Sequence, residues 1–76
     1  MKAWIEILLQ VLVGVLVQEG KQLQADVIND ALKVARAGGN VDAEMQRVAD
    51  EWLANGEPSQ ESIIAARKAI QAAIGD

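Results

Sequence analysis

The chain has 76 residues, 51% of them hydrophobic, with 11 acidic and 7 basic side chains and a net charge of −4. Histidine, cysteine and tyrosine are absent, which removes disulfide staples, the usual zinc ligand sets and the commonest general base. The acidic balance argues against nucleic acid and anionic lipid as partners, since both need a basic footprint.

A chain this short accommodates one domain, residues 1–76, and buries only about 60% of its unfolded surface. With no disulfide or metal to help, association with further copies is the common remedy. The first stretch, Trp4 to Val17, already demands such help. Placed on a helix, Lys2, Glu6, Gln10, Gly14 and Gln18 make one narrow polar ribbon, and every other side is Ile, Leu, Val, Ala or Trp. A helix apolar nearly all round is buried in a larger body or lies in lipid. The run closes at Val17 and contains Glu6 and Gln10, whereas a membrane span needs roughly 20 mostly apolar residues. Lys2 before an apolar core also raises a signal peptide, but the residues after Val17 offer no small-x-small cleavage site, so cleavage is not expected.

Gly20 leaves two architectures open. One ends a first helix at Glu19 and turns; the other runs through to Ala37. The flanks contain no Pro, Asn, Asp or Ser, so turn chemistry is thin. The apolar phase favours continuity. Ile5, Leu16 and Val27 are spaced by eleven, as are Leu9, Gly20 and Ala31, and Leu12, Leu23 and Val34. Such a period keeps one face aligned along a nearly straight helix. From Lys21 to Ala37 the pattern is amphipathic, with Leu23, Val27, Ile28, Ala31, Leu32, Val34 and Ala35 on one half, and Gly38-Gly39 stops it.

Asn40 or Asp42 is the expected cap of the next helix, which carries Val41, Met45, Val48, Ala49, Trp52 and Leu53 as its buried stripe and ends at Asn55-Gly56. Arg47 and Glu51 form a possible surface pair. Pro58-Ser59 opens the last helix, with Ser59 as N-cap and Ile63, Ala66, Ile70, Ala73 and Ile74 facing inward. The expected fold is therefore an all-α helical bundle: a long N-terminal helix over about 3–37, with a break at Gly20 as the alternative, then short helices over about 41–55 and 59–74.

Catalytic chemistry is not expected. Ser59 and Ser62 are the only serines and lack a histidine base. Asp26 and Asp30 share a face, but two ligands do not make a metal site. No cofactor is expected. Trp52 reads as core, and Trp4 as an anchor between subunits. Glu6 reads as a solvated ribbon residue, with pairing to Lys2 or to a neighbouring chain's α-amino group as the sharper alternative.

Two resemblances add context. Ile5-Glu6-Ile7-Leu8-Leu9 followed by Val13-Gly14-Val15-Leu16 resembles the N-terminal core helix of type IV pilins, over about a fifth of the chain, and implies helices stacked in a filament. The whole layout is similar to small phage-encoded helical proteins: an apolar first helix, an amphipathic continuation, a Gly-rich stop, a helix with acidic residues and Trp, and an alanine-rich tail. That similarity implies a virion or assembly component, in a phage particle or the cytoplasm rather than a membrane.

The expected function is self-association through the apolar segment 1–19, in a structural or assembly protein. The expected interface is Trp4, Ile5, Leu8, Leu9, Leu12, Leu16, Leu23 and Val27, and the expected partners are further copies and other assembly proteins. A holin-like membrane-active protein is the second reading. A monomeric four-helix module that captures a partner helix is the third, and it requires the break at Gly20.

Overall fold

A computed structural model of the chain describes residues 2–74. Four helices follow one another: α1 Ala3–Gln18, α2 Gln22–Arg36, α3 Asp42–Asn55 and α4 Gln60–Ile74. The all-α class and the two C-terminal helices agree with the sequence pattern to within a residue. The long helix over 3–37 does not exist.

Gly20 breaks it. Its φ is +77°, in the left-handed region that a residue with a Cβ enters only at a cost. With Gly20 turned that way, its N–H reaches Val17 O at 3.1 Å and the Lys21 N–H reaches Leu16 O at 2.8 Å. These two bonds satisfy carbonyls that the ending helix would otherwise leave orphaned, the Schellman arrangement. A continuous helix would have kept the eleven-residue stripe on one face; the turn resets the phase. Leu23, expected on the buried stripe, is 83% exposed, while Ala25, Ile28, Ala31 and Leu32 carry the buried face of α2.

The Gly38-Gly39 stop holds, by the same pair of bonds: Gly38 N–H to Ala35 O at 3.1 Å and Gly39 N–H to Val34 O at 2.8 Å. Gly39 is needed for space. A Cβ there would collide with Cγ1 of Val34 and lie 3.5 Å from the Ala73 Cβ. The turn is thus pressed between α2 and α4.

The cap of α3 differs from expectation. Neither Asn40 nor Asp42 occupies the position; Val41 does, buried and without a side-chain cap bond. Asp42 and Glu44 fall in the first turn, where anions are favoured. Ser59 does cap α4, its Oγ accepting the Ser62 N–H at 3.2 Å.

The helices run up, down, up, down. The Arg36 Nε donates to Glu6 Oε1 at 2.7 Å, tying the end of α2 to the start of α1, and Lys21 Nζ donates to Glu57 Oε2 at 2.8 Å, tying the two turns at the other pole. Glu6 therefore pairs with Arg36 of its own chain. Around the bundle the order is α1, α2, α4, α3. The α2 and α3 helices also approach across the middle, whereas among the described residues the backbones of α1 and α4 nowhere come close. The cross-section is thus a flattened diamond, with α1 and α4 at its far corners.

Into this diamond each helix sends one stripe: Ile5, Leu9, Leu12 and Leu16 from α1, Ile28 and Leu32 from α2, Met45 and Val48 from α3, and Ile63, Ala66 and Ile70 from α4. Trp52 packs against that core half-buried. Leu53, Ala73 and Ile74, expected inside, are exposed. At the margins of a four-helix core the helical spacing alone does not say how wide the covered stripe is.

Candidate interaction surfaces

The first surface is the outside of α1. Burial takes only the narrow stripe Ile5-Leu9-Leu12-Leu16, because α1 sits at a corner and meets two neighbours on one side. Trp4, Leu8, Val11 and Val15 form a second apolar row at the same helical spacing, beside the buried stripe, with Leu8 packing partly against the core and Ile7 on the row's outer side. Trp4 is 49%, Ile7 63% and Val11 54% exposed, and Leu8 and Val15 are half-buried. Gly14 lies between them, and a Cβ built on it meets nothing within 4 Å. Side chains of this size, about half uncovered, give on the order of 400 Å² of contiguous apolar surface, the scale at which an exposed patch marks a binding site. No charged residue interrupts the row; Glu6 lies on the other side of the helix, held by Arg36.

The second surface is a groove of about 550 Å³ between the N-terminal halves of α2 and α4. These two helices run in the same direction. Along one row of α2, Val34 is buried, Val27 half-buried and Leu23 almost bare. Ile63, Ile64 and Arg67 of α4 line the opposite wall. Lys21 and Arg67 are the charged residues of the lining and no acidic residue belongs to it. Gln24 also lines the groove, and its Oε1 is buried without a hydrogen-bond partner among the described residues.

The expected interface residues divide between these surfaces and the interior. Ile5, Leu9, Leu12 and Leu16 are in the core of a single chain. Trp4 and Leu8 belong to the outer face of α1, and Leu23 and Val27 to the groove. Sequence periodicity identified the apolar residues of α1 but had no means of dividing them between an inner and an outer stripe. Ile7 and Val11 were missed for that reason. The groove was legible only once Gly20 was known to turn, because its walls come from helices that a continuous α1–α2 rod would have held differently.

A dense polar cluster among the described residues lies elsewhere, at the start of α4. Glu51 Oε1 accepts the Ser59 N–H at 2.9 Å and the Ser59 Oγ at 3.0 Å, and Arg47 Nε donates to Oε2 at 3.4 Å. Ser62, 1% exposed, stands behind Ser59 with its Oγ 3.1 Å from the Ser59 Oγ. The Ser62 hydroxyl is the largest influence on Glu51, followed by the Ser59 amide; together with the Ser59 hydroxyl and Arg47 they hold the carboxyl down at about 2. A carboxylate that weak as a base does not draw a serine proton at neutral pH. The cluster fastens the α3–α4 turn. Asp26 accepts a hydrogen bond from Gln22 at 2.8 Å, and no group of three metal-ligating side chains occurs among the described residues. No helix among those residues is long and apolar enough to cross a membrane. No family model, curated protein or solved structure matches this chain, so the two surfaces stand on their geometry and chemistry.

Proposed function

We propose that this chain is a structural or assembly protein that self-associates through the outer face of α1, as a component of a larger body such as a virion or filament. The observation that carries this reading is the second apolar row of α1, Trp4, Leu8, Val11 and Val15 with Ile7, left uncovered by a fold that already has a complete core. Apolar surface of that extent gains about 25 cal/mol per Å² when removed from water, and a second copy is the partner present at highest local concentration wherever the protein is made.

The contact is of modest size. A standard interface buries about 800 Å² per partner, so the row supplies its apolar centre and neighbouring polar residues its rim. The Asp double variant Ile7→Asp/Val11→Asp places two charges in that centre without touching the core. Sedimentation equilibrium should show assembled wild type and a monomeric variant of unchanged helix content. A variant as fully assembled as wild type would remove the reading.

The turn at Gly20 favours a second reading, a monomeric four-helix module whose α2–α4 groove takes a partner. A wild-type chain that remains a monomer at every concentration would select it.

A further inference from the structure

We propose that Asn55-Gly56, at the C-terminus of α3, is a self-modifying site: the Gly56 amide attacks the Asn55 side chain and expels ammonia, and the last turn of α3 is the gate that restrains it. The chain has three asparagines. Asn29 precedes Asp30 in the middle of α2, and Asn40 precedes the buried, β-branched Val41; in both places a side chain crowds the attacking nitrogen. Asn55 precedes glycine, which has no Cβ to hinder the attack and a backbone that turns freely. Both residues are exposed, so water and hydroxide reach them.

The reaction needs only water. Hydroxide removes the Gly56 amide proton, and the nitrogen forms a bond to Cγ of Asn55, closing a succinimide ring. The bond from Cγ to Nδ2 breaks, and Nδ2 leaves as ammonia after taking a proton from water. A water molecule then opens the ring. Breaking the new bond gives aspartate. Breaking the bond to the main-chain carbonyl gives isoaspartate, with the chain running through the former side chain. Nothing is oxidised or reduced.

The fold opposes the first step twice. Asn55 is the last residue of α3, and the ring cannot close until its ψ rotates away from the helical value of about −42°. The Gly56 N–H is also engaged, bonded to Trp52 O at 2.8 Å with Gly56 at φ +81°. Little else holds this end. Leu53 is 64% exposed, and Ala54 through Glu57 are exposed as well. The last turn therefore rests on backbone bonds, and it frays at a free energy below that of global unfolding.

Conversion alters the pole of the bundle to which this turn belongs. Each product carries a new negative charge at the end of α3, the end of the helix dipole that disfavours it. Isoaspartate also lengthens the main chain by one methylene between Trp52 and Gly56, so the capping bond is lost. Glu57 follows directly, and its 2.8 Å contact with Lys21 ties this turn to the α1–α2 turn. The modification loosens that tie, independently of how copies of the chain associate.

Incubation of the full chain in mildly alkaline buffer, followed by tryptic mapping, tests this. The peptide Val48–Arg67 contains Asn55 as its sole asparagine, and electron-transfer fragmentation separates aspartate from isoaspartate. Conversion should be rapid in guanidinium chloride and slower by about tenfold or more in the folded chain. Two variants locate the gate, each checked for a cooperative thermal transition. Ala54→Gly weakens the last turn, and Ile28→Val weakens the core by a similar amount elsewhere. A local gate predicts that Ala54→Gly quickens conversion about fivefold in the folded chain, and that Ile28→Val leaves it unchanged. Equal acceleration by both would place the gate in global unfolding, and equal rates in folded and denatured wild type would mean that the fold restrains nothing. Either result overturns the proposal, as does an Asn55 that stays intact in guanidinium chloride.

Discussion

Replacing Gly20 by alanine tests the turn that separates this fold from a three-helix rod, because the two architectures demand opposite signs. At φ +77° an added Cβ meets nothing within 4 Å, so the cost is conformational alone. An L-residue pays about 1–2 kcal/mol in the left-handed region. Alanine recovers about 0.4–1 kcal/mol by narrowing the unfolded ensemble, leaving a net loss on the order of 1 kcal/mol. For a domain of this size that lowers Tm by about 4–8 °C. Were residues 3–37 one helix, alanine would instead stabilise by about 1 kcal/mol. Gly14→Ala is the internal control. Gly14 is inside α1 with open space around it, so alanine there should raise stability by roughly 0.5–1 kcal/mol. Both are measured by thermal circular dichroism at one low protein concentration, since assembly and folding are linked. A Gly20→Ala variant more stable than wild type would refute the turn.

Other substitutions report on other parts of the bundle. Gly39→Ala forces a methyl against Val34 and should cost about 1–3 kcal/mol, as overpacking does, read from the urea midpoint. Ser59→Ala removes the cap of α4 and should cost about 1 kcal/mol in the same assay. It should also flatten the acid limb of the stability profile. Glu51 has its carboxyl lowered to about 2 in the folded chain, so its contribution is fully present above the ordinary value near 4.5 and is lost as pH falls through that window toward 2. Wild type should lose stability more steeply there than Ser59→Ala; equal slopes would detach Ser59 from Glu51. Leu12→Asp/Leu16→Asp, by contrast, should abolish the thermal transition. Both side chains are buried in the core of one chain, and an unpaired buried carboxylate is far costlier than the margin of a small domain.

Much of this fold can be read from residue order, for identifiable reasons. Gly38-Gly39, Asn55-Gly56 and Pro58-Ser59 are stop and start signals written in residues with few other uses, and α3 and α4 fall where they say. Ser59 is a cap in the sequence and in space. Gly20 misled because its flanks, Gln18-Glu19 and Lys21-Gln22, look like helix, and because an eleven-residue period in a chain rich in Leu and Val can arise from two separate helices as readily as from one. The Schellman bonds that settle the matter are backbone bonds, invisible in side-chain chemistry. The same limit applied to function. An α1 that is apolar on every side announces that something must cover it, yet the division into an inner stripe of Ile5, Leu9, Leu12 and Leu16 and an outer row of Trp4, Leu8, Val11 and Val15 depends on where α2 and α3 lie.

Self-association through α1 is tested most directly by the mass of the unmodified chain in detergent-free buffer, followed by sedimentation equilibrium up to about 1 mM, where even a contact with a Kd of that order is substantially occupied. The account predicts an average mass above the 8.1 kDa of one chain that rises with concentration. A single species of 8.1 kDa across the whole range would contradict it.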